Sequence, residues 1–156
     1  MMNCIPAEDF AKDDPIGDFL AKSKNGVVYV SFGSVIKGSL MTEENKRILL
    51  NVFKRFPQYD FLWKWDQDTM PGKPDNVLLS KWLPQRNVLA HPSLKVFITH
   101  AGQSSFQETL CYQKPVVAIP VTGDQPINAK EAERLGIGIS HSYATMDEEV
   151  LFKVRF

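Results

Sequence analysis

Six short runs of strand-forming residues punctuate the chain: Val27–Phe32, Tyr59–Trp65, Val77–Ser80, Lys95–His100, Pro115–Pro120 and Ile137–Ser140. Most are apolar on successive residues rather than alternate ones, which is what a strand buried on both faces requires. The segments between them carry helical spacing or turn residues. Strands of this kind alternating with helices predict an α/β fold, a doubly wound Rossmann-like parallel sheet covered on both sides.

The helical readings rest on caps and spacing. Thr42 suits an N-cap before Glu43 and Glu44. Ile48, Leu49, Val52, Phe53 and Phe56 then fall on one face, and Pro57 stops the helix. Further helices are expected at Pro84–Ala90, Ser104–Tyr112 and Ile127–Leu135, the last ended by Gly136, with another starting in Thr145–Val154. Gly33–Ser39 and Asp66–Asn76 read as loops. Residues 1–25 read as a lead-in segment with one short helix at Ile16–Ser23, ahead of a single domain over 26–156.

Ligands of a doubly wound sheet sit at the carboxyl ends of its strands. The polar groups of this chain gather there. In "HAGQSSFQE" (His100–Glu108) a strand enters a Gly-containing turn and a helix, whose free N–H groups and dipole suit a phosphate. Ser104 and Ser105 add hydroxyls, Ser104 as a possible helix cap, and the His100 ring can donate. Glu108 shares a face with Ser104 and suits a vicinal diol. Gly33 and Ser34 form a second small-residue loop with close backbone access. Trp82 offers a stacking face for a nucleobase and Gln85 a donor and an acceptor for a base edge. Asp124 and Gln125 suit sugar hydroxyls. No G-x-G-x-x-G fingerprint is present, so a nicotinamide cofactor has little support.

Charge narrows the field. Lys and Arg together number 18, as do Asp and Glu, so the net charge is zero, which argues against a nucleic-acid partner. No segment reaches the roughly 18 apolar residues of a membrane span, and the acidic start lacks a signal-peptide core. Cys4 and Cys111 form neither a metal pattern nor a disulfide framework, and Cys111 reads as an inert half-buried thiol.

The 44-residue window from Trp82 to Gln125 resembles the donor signature of the UDP-glycosyltransferases, above all the UDP-glucuronosyltransferase branch of animals. "WLPQ", "LAHP", "ITHAG", Glu108, Pro115, Pro120 and "DQ" fall in register, and "VVYVSFGS" resembles the opening of that family's C-terminal domain. The resemblance implies a GT-B fold of which this chain is the C-terminal, donor-binding half. It implies that Trp82 stacks on uracil, Gln85 helps fix the base and Glu108 holds the ribose. His100, Gly102, Ser104, Ser105 and Ser34 would contact the diphosphate, and Asp124 and Gln125 the sugar. No metal and no cofactor beyond the UDP-sugar co-substrate are implied.

The same resemblance implies an inverting transfer of a hexosyl or glucuronosyl group to a hydroxyl of a small lipophilic acceptor. The catalytic base is expected on an N-terminal domain not found in this sequence, so the chain alone is expected to be inactive. For the full-length family it suggests the lumenal side of the endoplasmic reticulum membrane. This chain, with no signal peptide or membrane segment, reads as soluble. A non-catalytic partner of full-length relatives is the alternative. Two positions depart from the family pattern: Ala101 stands where Gly or Cys precedes the glycine, and Ser104 where Asn is usual.

Overall fold

A computed structural model describes residues 4–34 and 37–154. Within the expected Gly33–Ser39 loop, Val35 and Ile36 lie outside the described residues, as do Met1–Asn3, Arg155 and Phe156. Six parallel strands form one sheet: β1 (Val27–Ser31), β2 (Asp60–Lys64), β3 (Val77–Ser80), β4 (Leu94–Thr99), β5 (Val116–Ala118) and β6 (Gly138–Ser140), in the order β3-β2-β1-β4-β5-β6. Successive strands step outward from β1 on one side and from β4 on the other. The winding direction reverses between β1 and β4, where Ser31 lies opposite Thr99. The carboxyl ends beside such a reversal are where sheets of this topology bind ligands.

Among the described residues, six α-helices flank the sheet: α1 (Pro15–Lys22), α2 (Glu43–Lys54), α3 (Gln85–Ala90), α4 (Gln103–Tyr112), α5 (Gln125–Arg134) and α6 (Glu148–Phe152). Their starts follow local chemistry. The Asp14 carboxylate caps α1 by accepting from the Ile16 and Gly17 amides at 2.8 and 3.0 Å. Thr42 caps α2 through the Asn45 amide, and Asp147 caps α6 through the Val150 amide. The start of α4 departs from expectation. Its cap is Gly102, with no side-chain cap bond, so Ser104 sits inside the first turn.

Each strand sends alternate side chains to opposite layers. Val28, Val30, Phe61, Trp63 and Ile98 meet Leu49, Val52 and Phe53 of α2 and Leu151 of α6. Val27, Tyr29, Leu62 and Phe97 meet Leu20 of α1, Val88 and Leu89 of α3 and Phe106 of α4. The central strand β1 is buried at every position, which is why its sequence does not alternate. The lead-in residues belong to this second layer, for Phe10, Ile16 and Phe19 pack against it. Arg55 joins α2 to α6, its guanidinium over the Phe152 ring and paired with Glu149. None of the described helices is long and apolar enough to cross a membrane.

The cysteine reading is overturned. Cys4 and Cys111 form a disulfide, with Cα atoms 5.5 Å apart and 107 residues of separation. The pair joins the start of the chain to α4, a contact that no spacing rule encodes because only the folded chain brings the two together. A bridge closing so long a loop removes much of the unfolded chain's freedom. Cys111→Ala is expected to lower the unfolding free energy by about 2–4 kcal/mol, read as a lower urea midpoint in non-reducing buffer.

Candidate functional site

The carboxyl edge of the sheet holds three connected groups. The first begins at Tyr29, on β1. Its hydroxyl donates to Gln85 Oε1 at 3.1 Å. Gln85, the first residue of α3, then donates through Nε2 to Glu108 Oε2 at 2.7 Å and to Ser105 Oγ at 3.1 Å. The Gln85 amide is therefore committed within the protein, and it orients the Glu108 carboxylate. Tyr29 was missed by the sequence reading, where it passed for a core strand residue. Burial pushes its phenol pKa well above the ordinary range; a hydrogen bond with Ser31 opposes this and the charge of Glu108 adds to it. It stays a donor at neutral pH.

Beside this network is a cleft of about 420 Å³ whose lining includes Trp82, Pro84, Gln85, Arg86 and Glu108 together with Ile5, Pro6 and Glu8 from the start of the chain. Trp82 is 71% exposed. It is not a core tryptophan, and its indole is free for a flat ligand. Ser105 is buried, whereas Ser104 is exposed and lines an adjoining depression with Arg86, Gln107 and Tyr112.

The second group surrounds His100, which follows β4. A Cβ at Gly33 would lie 2.7 Å from His100 Cε1, and one at Gly102 would lie 2.6 Å from Nε2. The imidazole edge is thus packed between two glycines, and a side chain at either would collide with it. Gly33 also has φ +80, closed to most side chains. Burial holds the His100 pKa below its ordinary value; the Ser31 backbone and Asp124 pull it up, and Lys64 pushes it down. Its Nδ1 is buried without a hydrogen-bond partner.

Ala101, next in the chain, has φ +61 and is buried against Ala118 and Ala129. The departure from glycine is therefore accommodated in a left-handed backbone, with the methyl packed inward.

The third group is the loop after β5. Asp124 Oδ2 accepts from the Gln103 amide at 2.9 Å and from Asn128 Nδ2 at 2.9 Å. Asn128 also donates to the Ala101 carbonyl at 2.9 Å. Asp124 therefore takes the first free N–H of α4, while the Ser104 and Ser105 amides have no partner among the described residues. Gln125 is buried and uses Oε1 to hold the Val121 and Thr122 amides of its own loop. Asn128 was also missed. Its position one helical turn after Asp124 was the available signal.

Across β1, Gly33, Ser34, Lys37, Gly38, Lys64, Asp66 and Lys81 line a small cleft of about 210 Å³. Lys64 ends β2 and Lys81 follows β3, so the topology gathers three lysines, with the Asp66 carboxylate among them, beside the Gly33–Ser34 loop. Lys81 also pairs with Asp68 at 2.7 Å. Among the described residues, no group of three or more His, Cys, Asp or Glu side chains is placed to hold a metal ion.

Residues 1–154 match the family model described as UDP-glucoronosyl and UDP-glucosyl transferase. The chain belongs to this family. It is 39% identical over 138 residues to UDP-glycosyltransferase UGT5 of Dactylopius coccus, a match covering 88% of this chain and 26% of that protein. It is 35% identical over 150 residues to UDP-glucuronosyltransferase 2B7 of Homo sapiens, covering 93% and 27%. The chain therefore spans about a quarter of the length of these relatives. Among solved structures, the glycotransferase of kitacinnamycin is similar with a TM-score of 0.75 and 26% identity, over 96% of this chain and 37% of that one. The Rossmann-like sheet is that of a GT-B glycosyltransferase, as the sequence implied.

Two outcomes follow from this geometry. Ala101→Val places a β-branched residue at positive φ and crowds Ala118 and Ala129, so it should cost about 2–3 kcal/mol of stability; Ala101→Gly should change it by less than about 1 kcal/mol, methyl loss offsetting relieved strain. Both are read by urea unfolding. The second outcome concerns pH. His91, His100 and His141 all have lowered pKa values, burial being the largest cause in each, so the unfolded chain binds their protons more readily. Stability from these groups is complete above the unfolded value of 6.5 and falls as pH drops below it, which unfolding at pH 7.5 and 5.5 should show.

Proposed function

We propose that this chain is the donor-binding part of an inverting UDP-glycosyltransferase that moves a hexosyl or glucuronosyl group from a UDP-sugar to a hydroxyl of a small lipophilic acceptor. One observation carries the reading. In a member of this family, an exposed Trp82 after the outer strand β3, an oriented Glu108 on α4 and the glycine-flanked His100 at the β1–β4 switch point all follow the carboxyl ends of strands. Together they offer a stacking face, a diol acceptor and an anion cradle.

In this reading uracil stacks on Trp82 and the ribose hydroxyls donate to Glu108. Gln85 acts through Glu108 rather than on the base. The diphosphate lies over the Ser104 and Ser105 amides, near His100, Gly102 and Ser34, with Lys64 supplying positive charge from the other side of β1. Asp124 faces the sugar, on a loop that Gln125 supports. As the acceptor oxygen bonds to the anomeric carbon, the bond from that carbon to the β-phosphate oxygen breaks and negative charge grows on UDP. Fixed N–H donors and nearby cations stabilise that charge without reorganising. The base that takes the acceptor's proton is assigned to the part of the relatives that this chain does not span. Leu40, Val121 and Ile127, the last in the first turn of α5, are exposed in the segments that follow β1 and β5, an apolar face fitted to an acceptor-binding domain.

Titration calorimetry tests the reading, with ADP as control: UDP should bind and ADP should not. Glu108→Ala should weaken UDP by about 1.5–3 kcal/mol, the range for hydrogen bonds to a charged group. Trp82→Ala should weaken UDP by about 1–3 kcal/mol and leave pyrophosphate unchanged. Unchanged UDP affinity in Glu108→Ala would remove the ribose assignment, and equal losses for both ligands in Trp82→Ala would remove the stacking.

A further inference from the structure

The first described residues return to the nucleoside cleft. Cys4 is bonded to Cys111, which stands on α4 three residues beyond Glu108. The Tyr112 hydroxyl, also on α4, donates to the Ile5 carbonyl at 2.9 Å. Ile5, Pro6 and Glu8 then line the same cleft as Trp82 and Glu108. The next packed side chain along the segment is Phe10, in the layer of α1 and α3. Residues 5–9 therefore span between two anchors, the disulfide and Phe10, with the cleft beneath them. Ile5 is 64% exposed, an apolar side chain left in water beside an equally exposed indole. A flat base entering the cleft would cover both.

We propose that Ile5–Glu8 form the outer wall of the nucleobase subsite and that the Cys4–Cys111 disulfide holds this wall in place, so that the oxidised chain binds uridine nucleotides more tightly than the reduced one. The inference rests on the reading of the cleft as the UDP site. Its physical basis is preorganisation. With the bridge intact, the wall is ordered before the ligand arrives. With the bridge open, only an exposed hydrogen bond holds Ile5, and ordering the segment is charged to binding. Opening needs a dithiol. One thiolate attacks a cysteine sulfur and the S–S bond breaks. The mixed disulfide is resolved by the second thiol, leaving two protein thiols and a cyclic disulfide of the reagent, which has given two electrons and two protons.

The test is calorimetric titration of the full chain with UDP and with pyrophosphate, before and after reduction with dithiothreitol, with circular dichroism to follow the fold. Reduction should weaken UDP about 5- to 20-fold and leave pyrophosphate unchanged. Cys111→Ser should show the same loss without reductant and no further loss with it. Ile5→Ser, which keeps the bridge, should weaken UDP at least about 3-fold and keep the disulfide's effect on stability. Equal UDP affinity in the oxidised and reduced chains, or a parallel loss for pyrophosphate, would overturn the proposal, the second by showing general loosening. If Cys111→Ser does not fold, unchanged UDP affinity in Ile5→Ser overturns it independently. Failure of the oxidised wild-type chain to bind UDP at all would overturn the reading of the cleft itself, and the wall with it.

Discussion

The pairing of β1 with β4 is the constraint on which the rest of the structure depends. Both strands lie in the middle of the sheet, and the chain winds away from them in opposite directions. Their parallel register sets Ser31 beside Thr99, so the residues that follow, Phe32–Gly33 and His100–Gly102, leave the sheet side by side. Strands buried on both faces leave no lateral room for polar groups, and the carboxyl ends are where the backbone turns free. The proximity of His100 to Gly33 is a consequence of register, and the absence of side chains at Gly33 and Gly102 gives the ring edge room to pack between them. A shift by one residue would move alternate side chains between the two core layers, so register and site are fixed by the same burial.

Electrostatics at this edge is asymmetric. The dipole of α4 favours an anion at its start, yet the Asp124 carboxylate already takes the Gln103 amide. A negatively charged ligand over Ser104 and Ser105 must approach a carboxylate. Lys64 and Lys37, on the far side of the Gly33–Ser34 loop, oppose that charge. His100 lies between the two and feels both, Asp124 favouring its protonation and Lys64 resisting it. In the proposed complex, each phosphate loses the repulsion of Asp124 with distance while gaining the lysines, which sets an order along the edge: base near Trp82, diphosphate at the switch point, and the uncharged hydroxyls of the sugar beside the carboxylate. Hydroxyls are donors, and Asp124 retains Oδ1 to accept from them.

Most elements were legible because burial writes itself into local sequence. The strand runs, the Thr42 cap, the α2 face and the Gly136 stop each depend on neighbours within a few residues. The family pattern was legible the same way, since "WLPQ" and "HAG" sit at strand ends that the runs had located. What stayed hidden depends on distant partners. Tyr29 reads as one more aromatic strand residue, and only the fold places Gln85, 56 residues later, over its hydroxyl. Gln85 reads as a base contact, and its amide turns out to be consumed by Tyr29, Ser105 and Glu108. Cys4 and Cys111 carry no spacing signal at a separation of 107. The start of α4 was misplaced for a different reason: a serine is a favoured cap, but Gly102 enters the helix first and Asp124 supplies the capping oxygen from another loop.

Ala101 shows how the fold accommodates a departure from the family pattern. An L-residue at φ +61 is strained, and strain of this kind persists only where the surroundings hold it. Here they do so from three sides. The Ala101 amide donates to Thr99 Oγ1 at 3.2 Å, its carbonyl accepts from Asn128, and its methyl packs against Ala118 and Ala129. Asn128 also holds Asp124, so the bond that fixes the strained turn fixes the carboxylate beside it. A larger residue at Ala118 or Ala129 would push on the turn and thereby on both His100 and Asp124. Three small side chains meet here, and beside them Asn128 of α5 reaches the Ala101 carbonyl at 2.9 Å. Backbone strain, close helix packing and the placement of His100 and Asp124 are therefore coupled, and the chain meets the requirement with alanine where glycine is usual.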